Sequence, residues 1–280
     1  MAKLGTNRYG KSRVRLSRIT RLSDRHEFNE WTVHVMLWGD FESSYTAADN
    51  SKVLPTDTMK NTVYYVARNS KAETLEAYAM ELGDYFLDHN PQVSKVSIKV
   101  EEKAWGRMLV NGAMDAATFK LDGPELNTVL AVREKGRGWE VTSGVDGLTI
   151  LKTTKSAFTG YIKDKLTTLK PATDRIFGTC ATIEWEYSPG TPDYAQARAR
   201  IIAALLKEFA GHNSMSVQHT LFDMGKAALE AAPEITRIHL SMPNLHHLLA
   251  DLSPFGQDNP NHIFVPIDEP HGTIEATIER

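Results

Sequence analysis

Five short segments of the 280-residue chain gather side chains able to bind an anion, stack on a planar ring or move a proton. The first, Asn7-Arg8-Tyr9-Gly10-Lys11-Ser12-Arg13-Val14-Arg15, ends a loop and opens a strand, which puts the Lys11 amine where a rigid element begins. The second, Thr56-Asp57-Thr58-Met59-Lys60-Asn61-Thr62-Val63-Tyr64, sets a polar cluster at a helix start, where free amides and the helix dipole favour an anionic ligand. The third runs from Phe158 through Tyr161, Asp164 and Lys165 to Asp174 and Arg175. An aromatic face beside a guanidinium fork suits a planar anion. The fourth, Ser216-Val217-Gln218-His219-Thr220, opens a helix, and the fifth, Pro243-Asn244-Leu245-His246-His247, follows a strand. Both therefore lie at element ends, where sites usually sit.

Each segment also has a plainer structural reading. Lys11 alone could be a solvated lysine, Thr56-Asp57 a helix cap, Phe158 a core residue and Arg175 a surface ion-pair partner. The residues taken singly do not decide between these readings.

Other chemistries are easier to exclude. The chain has ten histidines, but His246-His247 lacks a supporting carboxylate motif and there is no H-E-x-x-H, so no metal site is expected. Gly136-Arg137-Gly138 is not a dinucleotide fingerprint, and neither a Walker loop nor G-x-S-x-G occurs. Cys180 is the single cysteine, which rules out an intramolecular disulfide and a cysteine-rich zinc site. It falls in a strand-like run and reads as a small buried core residue.

The net charge of -3 is too small to steer a charged partner. Eight Lys or Arg among the first 25 residues could suggest a transit peptide or a nucleic-acid arm, but Val14 and Leu16 alternate with Arg13, Arg15 and Ser17 as in a strand with one wet face. Neither a membrane partner nor a nucleic-acid partner is expected. The lone cysteine and the absence of an apolar leader point to a cytoplasmic setting.

The elements that must position these segments follow from periodicity. Phe28 to Phe41 alternates as a long strand expected to be covered on both faces, a helix starts near Thr58, and Leu75, Tyr78, Ala79, Leu82, Tyr85 and Phe86 mark a helix within 72–89. Strands follow near 96–100, 117–121 and 128–133. The second half repeats the order: strands near 139–150 and 177–187, helices near 193–210 and 216–231, then strands at 235–242, 262–267 and 273–278. Two copies of one α+β unit, each an antiparallel sheet with helices on one face, account for this, with domains at 1–137 and 138–280.

Taken together and in this order, the five segments resemble the urate oxidase (uricase) family, with similarity from about Asn7 to Thr277. The resemblance implies two tandem tunnelling-fold domains that close into barrels on oligomerisation, a homotetramer with active sites at subunit interfaces, and urate and O2 as reactants with no cofactor. It implies that Arg175 and Gln218 grip opposite edges of urate, that Phe158 stacks on the ring, that Val217 offers its amide, and that Thr56 and Asp57 close the site from a neighbouring chain. It further implies a proton relay of Lys11, Thr56 and His246, with Asn244 holding oxygen or water above the ring. The products would be 5-hydroxyisourate and hydrogen peroxide. Pro55 and Met59 depart from the family's usual second motif, and the chain ends in Glu279-Arg280 without a Ser-Lys-Leu tripeptide, in keeping with the cytoplasmic expectation. Two alternatives remain at this stage: a tunnelling-fold enzyme acting on a pterin or another purine-like ring, and a non-catalytic binding module.

Overall fold

The computed structural model describes residues 2–190 and 192–280. The chain divides into two compact units, Met1–Val145 with Glu186–Tyr194, and Asp146–Trp185 with Ala195–Arg280. The sequence boundary at 137/138 falls in the turn between two strands, a few residues before the first unit ends.

The first unit contains β1 (Tyr9–Arg21), β2 (His26–Gly39), a short α1 (Glu42–Thr46), α2 (Thr56–Asn69), α3 (Leu75–His89), β3 (Val93–Val110) and β4 (Ala113–Glu134). The four strands pair antiparallel in the order β1-β2-β3-β4. The register places Val33 opposite Val100 and Val35 opposite Ile98. Because side chains alternate across a strand, one face of β2 therefore carries Trp31, Val33, Val35 and Leu37, all buried with Met59, Val63, Tyr78, Leu82 and Phe86 of the helices. Burial of each such side chain contributes about 1.5–3 kcal/mol.

The other face of β2 differs from expectation. Thr32, His34, Met36 and Trp38 are only half-buried. On this face His34 faces Glu101 at 3.8 Å, and Trp38 lies under the cations of Arg8 and Lys95. The strands expected at 117–121 and 128–133 are one strand, β4. Asp122-Gly123-Pro124 interrupts the alternation, and a register shift between Lys103 and Trp105 of β3 absorbs it, which leaves the proline without a ladder bond to donate.

The second unit takes in β5 (Glu140–Lys152) and β6 (Phe177–Tyr187), each of which crosses the unit boundary. They are followed by α4 (Tyr194–Gly211), α5 (Val217–Ala231), β7 (Ile235–Ser241), β8 (Asn244–Leu249), β9 (Phe264–Gly272) and β10 (Glu275–Glu279). Strand order is β5-β6-β7-β10, with β8 pairing β6 and β9. Apart from the short α1, strand, strand, helix, helix, strand, strand recurs in both units, and the second unit inserts the β8-β9 hairpin before its last strand. The fold is α+β, with antiparallel pairing throughout the first unit. Among the described residues, no helix is long and apolar enough to cross a membrane.

Cys180 corrects a further expectation. It is half-buried, because β6 turns Thr179, Ala181, Ile183 and Trp185 into the core and leaves Cys180, Thr182 and Glu184 on the opposite face.

Candidate active site

In the first unit, Gly10 explains the approach to Lys11. A Cβ at this position would sit 1.8 Å from the Val35 carbonyl oxygen, so only glycine lets β1 lie this close to β2. Immediately after Lys11 the register shifts, and Arg13 takes φ 59°, a bulge that re-aims side chains at the strand's start. Lys11 itself is half-buried.

Tyr9 joins this strand to the second segment. Its hydroxyl donates to the Leu54 carbonyl at 3.1 Å and accepts the Leu54 amide at 2.8 Å. Two residues later α2 begins. The helix opens at Thr56, earlier than expected, and Pro55 occupies the cap position with no side-chain cap, so Thr56 and Asp57 are helical residues and not caps. Their amides are among the first of the helix, which have no intrahelical acceptor. Asp57 is held by Lys60 and Asn61, and these contacts together with the nearby charge of Lys11 lower its pKa, the Lys60 hydrogen bond most of all. Lys11, Thr56 and Asp57 are thereby gathered at one place in the first unit.

In the second unit, backbone bonds knit three separate segments together. Phe158 exchanges both of its backbone hydrogen bonds with Ala172, at 2.8 and 3.1 Å. Asp174 accepts from the Thr154 hydroxyl at 2.8 Å, a bond that is the main cause of its lowered pKa. On the other side the Ala157 amide donates to the Ser214 carbonyl at 2.7 Å, and the Ser214 amide donates to Lys155 at 2.9 Å. Ser214 leads directly to Ser216, whose side chain caps α5 by accepting the His219 amide. The result sets Phe158, Arg175 and the first turn of α5 in fixed relation.

Arg175 lies over the Phe158 ring, 5.3 Å from guanidinium carbon to ring centroid. It is half-buried, its Nε has no hydrogen-bond partner, and burial lowers its pKa, though a guanidinium stays charged. A partly desolvated cation with an unused donor fits an anionic ligand and not a surface ion pair. Val217 and Gln218 are the first two residues of α5, with Val217 buried and the Gln218 side chain exposed. Both units thus offer the start of a helix, Thr56-Asp57 in one and Val217-Gln218 in the other.

The fifth segment follows a strand, β7, as expected, and itself opens another. β8 opens at Asn244, which pairs with Thr179 of β6. The Asn244 side-chain amide and His246 Nδ1 are 3.4 Å apart. The pKa of His246 is lowered, first by burial and then by the charges of Arg175 and His271, so the ring is held as a neutral imidazole. A cleft of about 400 Å3 is lined by His246, His247, Gly178 and Pro266, and another of about 490 Å3 by Arg175, Asp174 and His247. Arg175 and His246 thus line two small-molecule-sized hollows of the second unit that share His247, with Phe158 beside Arg175 and Asn244 beside His246.

Sequence reasoning missed Tyr9, Thr154 and Asp174 as positioning residues. It also missed a set of three donors, His212, His219 and Asp223, which the i, i+4 spacing of His219 and Asp223 could have signalled.

The model of the uricase family matches residues 7–132 and 141–275 of the chain. The chain belongs to the uricase family. Its sequence is 42% identical over 277 residues to the uricase of Arthrobacter globiformis, covering 99% of this chain and 90% of that one. It is 38% identical to the uricase of Dictyostelium discoideum, covering 100% and 98%. The crystal structure of the Arthrobacter globiformis uricase superposes with a TM-score of 0.93 at 41% identity, covering 100% of this chain and 96% of that one. A Bacillus sp. TB-90 urate oxidase mutant shares the fold, with a TM-score of 0.84 at 21% identity over 99% and 100% of the two chains. The two stretches matched by the uricase model contain all five segments.

Proposed function

We propose that the chain is a urate oxidase that works without a cofactor, converting urate, O2 and water to 5-hydroxyisourate and hydrogen peroxide. The observation that carries this reading is Arg175 held over Phe158 with a free Nε donor, in a chain of the uricase family. Urate is a planar weak acid, so the Phe158 face offers stacking while Arg175 and the Gln218 amide address its two polar edges. The Val217 amide, open at the start of α5, adds a backbone donor.

Lys11, Thr56 and His246 form the proton relay in this proposal, and Asn244 holds oxygen or water above the ring. A relay that draws a second proton from urate makes the ring electron-rich enough to give an electron to O2. The lowered pKa of His246 supports this role, since a neutral imidazole can take up a proton. Reduction of O2 to hydrogen peroxide takes two electrons from urate, and water supplies the hydroxyl that the product carries.

The residues assigned to the site lie on both units, with Lys11, Thr56 and Asp57 in the first and the remainder in the second. The reading places one chain's first-unit cluster against a neighbour's second-unit cluster, in a homotetramer of tunnelling-fold barrels. Supporting association, the β3-β4 hairpin leaves Leu109 65% and Met114 58% exposed, with Met108, Val110 and Leu121 also exposed nearby. An apolar surface of that kind usually marks an interface.

The test is simultaneous loss of urate absorbance and dissolved oxygen by purified, chelator-treated protein with no added cofactor. Loss of both in parallel is expected. No loss of either would overturn the reading and favour a pterin or another purine-like substrate for the same site.

A further inference from the structure

Outside the urate site, the second unit places three metal-ligating side chains around one point. His212 lies just past the end of α4, while His219 and Asp223 stand one turn apart on α5. One donor atom from each lies within 4.8 Å of the other two. Asp223 Oδ2 is 3.3 Å from His212 Nδ1 and 3.4 Å from His219 Nε2.

Those separations are informative. A good charge-assisted hydrogen bond between such groups runs about 2.7–2.9 Å. Donors about 2.0–2.1 Å from a tetrahedral zinc ion stand about 3.3–3.4 Å from one another. Both Asp223 distances match the tetrahedral edge, and the third separation, between the two imidazoles, is within 4.8 Å.

The surroundings fit the same ion. The His212 side chain is only 9% exposed, and its Nε2 has no hydrogen-bond partner, so its polar engagement is on the Nδ1 side, toward Asp223 and toward Glu208 at 3.6 Å. Glu208 stands where it can accept from a metal-bound water, as outer carboxylates commonly do. The nearby cation, Lys152, points its ammonium at the Phe209 and His212 carbonyls at the end of α4, not at the three donors.

We propose that His212, His219 and Asp223 form a binding site for a divalent transition metal, of which Zn2+ is the natural occupant, separate from the urate site. Two imidazoles and one carboxylate suit Zn2+ and leave a fourth position for water. The ion ties the end of α4 to the first turn of α5. That turn also carries Val217 and Gln218, so a bound metal stabilises the scaffold that presents them.

The experiment is calorimetric titration of ZnCl2 into metal-stripped full-length protein, with melting temperature measured in parallel. One ion per subunit is expected, with a melting temperature that rises as Zn2+ is added. His219→Ala and Asp223→Asn, whose side chains are partly exposed and whose folding is checked by circular dichroism, should each weaken binding about 10-fold or more and abolish the rise. Unaltered binding in both variants would place any zinc elsewhere and overturn the proposal. The absence of saturable binding in the parent protein would likewise overturn it, leaving Asp223 as an ion-pair partner of two imidazoles.

Discussion

Tyr9 and Leu54 hold each other through a reciprocal pair of hydrogen bonds, the phenol donating to the carbonyl and accepting the amide. This pair fixes the start of β1, with Lys11 two residues on, to the loop that delivers Thr56 to the head of α2. The pKa of Tyr9 is raised, chiefly by burial, so the hydroxyl stays protonated and able to donate. Tyr9→Phe leaves both Leu54 groups without their partner, and stability should fall by about 1 kcal/mol, since water reaches this half-buried site. Urate turnover should fall about 10-fold or more, because Lys11 and Thr56 lose their common anchor. Denaturant unfolding and steady-state kinetics check the two effects, and unchanged turnover would remove Tyr9 from the account.

Arg175 supplies the second prediction. Its fork geometry and its position over Phe158 matter in addition to its charge, so Arg175→Lys is not a conservative change. A lost charge-assisted contact costs about 1.5–3 kcal/mol, which corresponds to a fall of about 10- to 100-fold in kcat/KM for urate. The melting temperature should change little. Kinetics indistinguishable from the parent enzyme would show that another cation binds urate.

The third prediction concerns pH. Burial and the charges of Arg175 and His271 lower the pKa of His246, and burial followed by the charge of His219 lowers that of His212, while Asp223 and Glu208 act in the opposite sense on His212. Unfolded histidines protonate near pH 6.5. Between the lowered folded values and that value, the unfolded chain binds more protons, so stability must fall as pH drops through about 6.5. Turnover should hold over that range and decline only below it, as the pH falls through the lowered folded pKa of His246 and the ring loses its capacity to accept a proton. Denaturation midpoints and rates from pH 8 to below pH 6 test this, and a flat response in both would contradict it.

Much of this arrangement was legible in the sequence because strong periodicity survives folding. The β6 limits agree with the alternating run 177–187, and α5 begins one residue after its expected start at Ser216, which serves as its cap. The start of α2 was misplaced because proline at the cap position has no hydrogen-bonding side chain to signal it, and residues 117–133 were split because a bulge at Gly123-Pro124 imitates a turn. β8 carries little periodic signal because Asn244–Leu249 is short and neither of its faces is buried. The convergence of Phe158, Arg175 and α5 was invisible for a different reason: it rests on backbone bonds through Ser214 and Ala172, and backbone bonds leave no mark on residue type.

The fourth prediction follows from the corrected position of Cys180. It lies on the half-buried face of β6, turned away from the core. Cys180→Ala should leave turnover unchanged and alter stability by less than about 1 kcal/mol, because little apolar area is lost there. A large fall in turnover without destabilisation would give the thiol a part in the reaction.

The account turns on a urate site completed by two chains, and the most direct measurement is the activity of hetero-oligomers purified through two different tags after co-expression of Lys11→Ala and Arg175→Ala chains. Each variant alone should be nearly inactive, whereas the mixed oligomer should regain a substantial fraction of parental turnover, because some of its sites pair an intact first unit from one chain with an intact second unit from another. Mixed oligomers no more active than the two parents would contradict a shared site.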